Sequence, residues 1–285
     1  MTEKILACLD HSRFSSSVCD YASWVAIRLK LQLEFLHVLD HHPEAAQRLD
    51  LSGSIGLGAQ ENLLNDLAAL DERRATIDLE RGRLLLAAAK QRARESGIAE
   101  PLLRQRHGEL IENLTELQNE TSLFVVGKRG EEGERAPAHL GTNLERAVRA
   151  LHKPLLVVPT TFTVPARVML AFDGSMTTRK GVEWLAGSAL FTSLEIHVVM
   201  AGADSPAAVA QLRWARAILE KEGLMTSTAL IEGDADKILP GYAVAQKVDL
   251  IVMGAYGHSR IRQLLVGSTT TAVIRTSPIP VLLLR

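Results

Sequence analysis

Apolar positions along the chain alternate between two periods. Ile5-Leu-Ala-Cys-Leu9 is a continuous apolar run that stops at Asp10. A polar segment reaches Ser17, and then Val18, Tyr21, Ala22, Val25 and Leu29 recur at helical spacing. Leu33 to Leu39 is a second short apolar run. Runs of this kind read as strands buried on both faces, and strand, helix, strand in this order predicts a parallel sheet covered by helices. The pattern then recurs. Val168-Met-Leu-Ala-Phe172 ends in Asp173, and a helical stretch bearing Trp184 leads to the run Leu194 to Val199. Ser122 to Gly127 matches Asp249 to Gly254, and Lys153 to Val158 matches Ile279 to Leu284.

These matches make the chain a tandem duplication, with copies at 1–160 and 165–285 joined around Pro159 to Pro165. Asp10 aligns with Asp173 and Ser12 with Ser175. Trp24 precedes His37 by thirteen residues, as Trp184 precedes His197, which sets Val38 against Val198. Each copy is predicted to hold five strands and four helices. In the second, the third strand falls near Met225 to Ile231 and the third helix near Asp236 to Gln246. Right-handed crossovers then give an α/β fold of two doubly wound, five-stranded parallel sheets.

The offset between copies is 163 at the first strand (Asp10, Asp173) and 127 at the fourth (Gly127, Gly254), so the first copy holds 36 more residues. They fall within 43–97. A glycine patch, Gly53, Gly56 and Gly58, has the wrong spacing for a dinucleotide loop and follows no strand. Leu63, Leu67, Leu70, Ile77, Leu84 and Ala88 then recur at threes, fours and sevens, with Arg73, Arg74, Glu80, Arg81 and Lys90 on other faces. That predicts a long amphipathic helix packed on its own sheet or on a partner subunit.

Candidate chemistry concentrates at the fourth strand of the second copy. After Met253 and Gly254 come Gly257 and, nine residues further, Gly267-Ser268-Thr269-Thr270 opening a helix. Bare N–H groups at glycine turns and helix N-termini bind phosphate. Ligands of doubly wound sheets sit at carboxyl ends of strands, which here are marked by Asp173, Val198 and Gly254. The first copy keeps Asp10, Val38, Gly127, Gly130, Gly141 and Thr142. However, ten residues separate Gly130 from Gly141, and Glu131, Glu132 and Glu134 stand where phosphate would lie, with Lys128, Arg129 and Arg135 as the cations able to offset them.

A strand ending in Asp, a second ending in His-Val, and a final G-x2-G-x9-G-[ST] before a helix resemble the universal stress protein family in its tandem form. The resemblance covers the chain apart from the 36-residue excess. It implies a Rossmann-like fold of the adenine-nucleotide alpha-hydrolase type, with the fifth strands of the two copies paired about a pseudo-two-fold axis. It also implies binding of ATP or another adenine nucleotide, with or without Mg2+, by the second domain. Asp173 would hold the adenosine part, Ala171 and Val198 would line its pocket, and Met253, Gly254 and Gly257 would approach ribose and phosphates. Gly267, Ser268, Thr269 and Thr270 would give the phosphates N–H and hydroxyl groups. The corresponding residues of the first copy form a degenerate second site.

Composition narrows the alternatives. The 285 residues carry a net charge of -1 with no basic patch, so nucleic acid is not an expected partner. No apolar run is long enough for a membrane span, and the first ten residues lack the pattern of a signal peptide. Cys8 and Cys19 read as reduced thiols, and the expected location is the cytoplasm. No Walker loop and no adenylating-enzyme motif is found. What the resemblance implies is then an adenine-nucleotide-binding stress-response regulatory protein, with a slow ATPase or nucleotidyl transferase, or a nucleotide-independent interaction module, as alternatives. Homodimerisation of tandem chains is a further option. His37, His41, His42 and Asp40 form a local cluster short of a metal site. His258 and Arg260 are either phosphate contacts or solvated loop residues. Asp234 and Asp236 read as helix N-caps.

Overall fold

The computed structural model describes residues 3–39, 57–130, 142–255 and 268–285, without the side chains of 57–64, 142 and 268. The first half contains β1 (Lys4–Leu9), α1 (Ser15–Leu29), β2 (Gln32–Leu39), α2 (Leu57–Glu95), β3 (Leu102–His107), α3 (Leu110–Leu117), β4 (Thr121–Gly127), α4 (Thr142–Ala150) and β5 (Leu155–Val158). The second contains β6 (Arg167–Ala171), α5 (Met176–Gly187), β7 (Glu195–Ala201), α6 (Pro206–Lys221), β8 (Met225–Ile231), α7 (Ala235–Ala245), β9 (Leu250–Gly254), α8 (Ser268–Thr276) and β10 (Val281–Leu284).

All ten strands join one sheet in the order β3-β2-β1-β4-β5-β10-β9-β6-β7-β8. Each half is parallel throughout, and the two meet where β10 runs antiparallel to β5, Val281 opposite Val157 and Leu283 opposite Leu155. The order is palindromic, as a pseudo-two-fold axis between β5 and β10 requires. The fifth strands, all buried, thus cover one another's edges. The outer edges are β3 and β8, half exposed and, in β3, studded with Arg104 and Arg106.

Helices cover both faces. α1, α2, α5 and α6 pack on one, with Ala7, Phe35, Leu170 and Val198 beneath them. α3, α4, α7 and α8 pack on the other, over Leu6, Phe124, Met169 and Met253. The halves are also tied outside the sheet. The Arg28 guanidinium on α1 donates to the Leu190 and Thr192 carbonyls, and Phe162 of the connecting segment meets Tyr21 edge to face at 4.7 Å. The Asp249 carboxylate fixes the start of β6, accepting from the N–H groups of Ala166 and Arg167 at 3.0 and 2.9 Å.

The helical insert is α2, 39 residues long. It docks by its C-terminal half. A Cβ on Gly82 would stand 2.5 Å from His37 Cδ2 and 2.4 Å from Gln105 Nε2, so the helix backbone lies directly on β2 and β3. Leu86, Ala89 and Ala93 continue that contact. Among the described residues no helix is long and apolar enough to cross a membrane. The glycine patch at 53, 56 and 58 and the residues Asp40, His41 and His42 lie outside the described residues or, for Gly58, outside the described side chains. His37 is committed elsewhere: its Nδ1 pairs with the Leu9 carbonyl at 2.9 Å, under α2.

Candidate nucleotide site at the sheet's carboxyl edge

The first strand of each half ends in an aspartate held by the turn that follows it. Asp173 Oδ1 accepts from the Ser175 N–H at 2.9 Å and from the Thr178 hydroxyl at 2.7 Å. Asp10 Oδ1 accepts from the Ser12 N–H at 3.1 Å and from the Ser12 and Ser15 hydroxyls at 2.6 and 3.3 Å. A hydroxyl five residues on therefore holds the aspartate in both copies, Thr178 through the carboxylate and Ser15 chiefly by donating to the Asp10 main-chain carbonyl. The sequence reading missed Ser15 and Thr178, although the shared offset of 163 residues marks them as a pair. Gly174, at φ +72°, supplies the left-handed residue that turns the chain into α5, and Ser175 caps that helix by accepting from the Thr178 N–H.

Register places the other strand ends. Leu170 pairs with Val252, and two steps further Phe172 lies level with Gly254, so Asp173 stands beside the end of β9. Ala171 and Met253 are both buried in the cluster that packs under α7 and α8. α8 is fastened to the strand it follows: the buried Thr270 hydroxyl donates to the Gly254 carbonyl at 3.2 Å. The hydroxyl proton that was expected to face phosphate is spent on this bond. Thr269 is half exposed at the same helix end. Ser268 opens the helix, and Gly257, His258, Arg260 and Gly267 lie outside the described residues.

Val198 is not where the Trp–His spacing set it. It pairs with Leu170, three residues before the last residue of β7, and is fully buried under α5 and α6. Val38 comes one step after the Leu9–His37 pair and packs on the opposite face. Because side chains alternate along a strand, a slip of three reverses the face. The residue in the place of Val38 is Ala201, at the constant offset of 163 that also relates Pro43 to Pro206. Trp24 and Trp184, like His37 and His197, are therefore not equivalents. His197 faces α7, with Nδ1 2.9 Å from the Tyr242 hydroxyl and Nε2 3.0 Å from Glu195.

In the first copy, Ala7 pairs with Val125, which brings Gly127 level with Leu9. The turn then folds over the aspartate. A Cβ on Gly130 would lie 2.9 Å from Asp10 Oδ2, and one on Gly127 would lie 2.7 Å from Phe14 Cβ. Only glycine permits so close an approach of backbone to carboxylate. Lys128 does not serve as the offsetting cation. Its Nζ donates at 2.9 Å to the Ser277 carbonyl, just past the C-terminus of α8 in the other half. Burial and the neighbouring Arg129 charge pull its pKa from 10.5 to about 8. Cys8, two residues before Asp10, is held as a thiol, its pKa pushed up to about 12 by burial and by that carboxylate. Thr142 opens α4; Gly141, Glu131, Glu132, Glu134 and Arg135 lie outside the described residues.

Asp234 sits at the N-cap position of α7, but its side chain makes no capping bond there and instead pairs with Lys237 at 2.9 Å. The lysine one turn on offers a charged partner in place of a backbone N–H.

Comparison with known proteins agrees with the two-copy fold. The sequence profile of the Universal stress protein family matches residues 1–159 and again 166–285. The chain is 38% identical over 286 aligned positions to a universal stress protein of Synechocystis sp., covering 99% of this chain and 100% of that one. It is 26% identical to a universal stress protein of Mycobacterium tuberculosis over 63% of each chain. Among solved structures, a universal stress protein from Archaeoglobus fulgidus superposes with a TM-score of 0.68 at 18% identity, over 98% of this chain and 95% of the other. Two profile matches, a full-length relative and a shared two-copy fold together establish that the chain belongs to the universal stress protein family.

Proposed function

We propose that this protein is an adenine-nucleotide-binding regulatory protein whose second domain, 165–285, holds the nucleotide, ATP being the expected form. The observation that carries the reading is the convergence at one strand edge of a braced, exposed carboxylate, Asp173, and a helix N-terminus locked to the adjoining strand by Thr270 and Gly254. The two features suit opposite ends of one molecule. A fixed carboxylate accepts hydrogen bonds from a nucleoside's hydroxyl or amino groups. The first N–H groups of the nine-residue α8 are free of intrahelical partners and carry the positive end of its dipole, which favours phosphate. Ala171 and Met253 give an apolar floor on the same side of the sheet. Ala201, rather than Val198, completes the lining. Mg2+, where present, would ride on the phosphates.

The bound nucleotide acts here as an effector. The site presents acceptors, N–H donors and a hydrophobic floor, which bind and orient. α8 is the element that transmits occupancy, since its N-terminus faces the phosphates and Ser277, beyond its C-terminus, receives Lys128 from the first domain. Isothermal titration with ATP tests the reading. Wild type should saturate at or below millimolar ATP, and Asp173→Ala should weaken binding at least about tenfold with an unchanged circular dichroism spectrum. No heat of binding from wild type at millimolar ATP would defeat it.

A further inference from the structure

Helix α2 carries more apolar surface than its docking uses. Its inner face is settled by Gly82, Leu86, Ala89 and Ala93, buried against β2, β3 and α1. From 65 to 81 every residue is exposed except the half-buried Leu67. Leu70, Ile77 and Leu84 are 53%, 57% and 58% exposed, where large apolar side chains in a row call for a cover. Leu67, Leu70, Arg74, Ile77, Arg81 and Leu84 are spaced three, four, three, four and three. That is the 3.5-residue period of a seam between two helices. At about 100° per residue Leu70, Ile77 and Leu84 lie about 120–180° from Gly82 and Leu86, on the side turned away from the sheet, while the half-buried Leu67 lies on the flank.

We propose that α2 pairs with the α2 of a second copy of this chain as an antiparallel two-helix coiled coil. The charges select the orientation. In a parallel, in-register pair the flanks cancel, Asp66 facing Asp71 and Arg73 facing Asp78, but Arg74 would meet Arg74 and Arg81 would meet Arg81 within the seam. In an antiparallel pair with Arg74 opposite Ile77 of the other copy, each seam arginine meets an aliphatic side chain, and Leu67 meets Leu84. Arg73 then faces Glu80 on both flanks. Asp71 and Asp78 approach across the seam, with Arg74 beside them to neutralise the pair. Among the described residues Arg73 and Arg74 form no ion pair, and Glu80 is held only by the exposed Arg83, one turn away on its own helix. Arginines within the seam fix the register and keep the association reversible.

The rest of the fold leaves this surface as the place for a second copy. The β5–β10 pairing that could join two single-domain chains is satisfied within this one. The helix in the corresponding place of the second half, α6, has 16 residues, so each chain presents one long helix.

Sedimentation velocity on the full chain without nucleotide tests the proposal independently of ATP binding. Wild type should pass from the 31.1 kDa monomer to a dimer over roughly 1–100 μM protein, the range of a small interface. Leu70→Glu combined with Ile77→Glu should stay monomeric. Arg73→Glu and Glu80→Arg should each weaken the dimer about tenfold or more, and the two together should restore it. A wild type that remains monomeric to about 1 mM, an order of magnitude above that range, overturns the proposal. So does a dimer untouched by the Leu70 and Ile77 changes, or a charge exchange that fails to restore association.

Discussion

Replacing Gly82 by alanine sets two opposing effects against each other, and the contacts of α2 decide which prevails. A glycine in a helix interior costs about 1 kcal/mol relative to alanine, so propensity alone predicts stabilisation. Against this, the new methyl would stand 2.4 Å from Gln105 Nε2, 2.5 Å from His37 Cδ2 and 3.0 Å from His37 Nε2. Gln105 is a flexible end and can move, giving up its bond to the Leu79 carbonyl. His37 has nowhere to go. It is 5% exposed, held by the Leu9 carbonyl, and packed edge-on against His11 at 5.4 Å. Restoring ordinary contact requires a shift of about 1 Å, and overpacking of this kind costs about 1–3 kcal/mol. Loss of the His37–Leu9 bond adds about 1 kcal/mol. The net expectation is destabilisation by about 1–3 kcal/mol. Gly241, inside α7, is the matched control, since a Cβ there meets nothing within 4 Å. Gly241→Ala should stabilise by up to about 1 kcal/mol. Urea denaturation followed by circular dichroism reads both. Should Gly82→Ala prove as stabilising as Gly241→Ala, the close docking of α2 on His37 would be wrong.

Three further outcomes follow from buried or half-buried groups. Lys128 has a folded-state pKa of about 8 against 10.5 ordinarily, so the unfolded chain holds more protons between those values. Stability should therefore rise with pH from about 8 to 10.5, by at most about 3 kcal/mol before solvent screening, and Lys128→Met should remove that rise in denaturant titrations at stepped pH. Cys8 and Cys19, each with a thiol pKa pushed to about 12, should resist maleimide at pH 8 in the folded protein and react on unfolding. Prompt labelling of either would contradict their placement. Glu34 is buried between Lys4 at 2.5 Å and Arg104 at 2.6 Å, so Glu34→Ala should lower stability by about 3 kcal/mol or more, measured by thermal unfolding. A change below about 0.5 kcal/mol would show that the pair is not desolvated.

The strands were legible because a parallel sheet covered on both faces demands continuous apolar runs, and Ile5 to Leu9 and Val168 to Phe172 are such runs. The aspartates at their ends were legible for the same reason, since a charge ends a buried strand. The long helix was legible from its period, and the pairing of β5 with β10 from the family resemblance. What the residues concealed was register. Two Trp–His spacings agreed by coincidence and set Val198 against Val38, although the aspartates, the prolines and every residue between them keep one offset. Sequence also could not show where hydroxyls and amines point. Thr270 looked like a phosphate donor and instead binds Gly254, while Lys128 looked like a counter-charge for the first site and crosses to Ser277. Both choices depend on how the two halves and their helices pack, which no local pattern records.

The central claim is one nucleotide site per chain, in the second domain. Native mass spectrometry of the chain with ATP, with and without Mg2+, measures that stoichiometry directly. The account predicts one ATP per chain for wild type, one for Gly130→Val, and none for Gly267→Val at the same ATP concentration. Two nucleotides per wild-type chain, none at millimolar ATP, or a single nucleotide that survives Gly267→Val and is lost with Gly130→Val would contradict it.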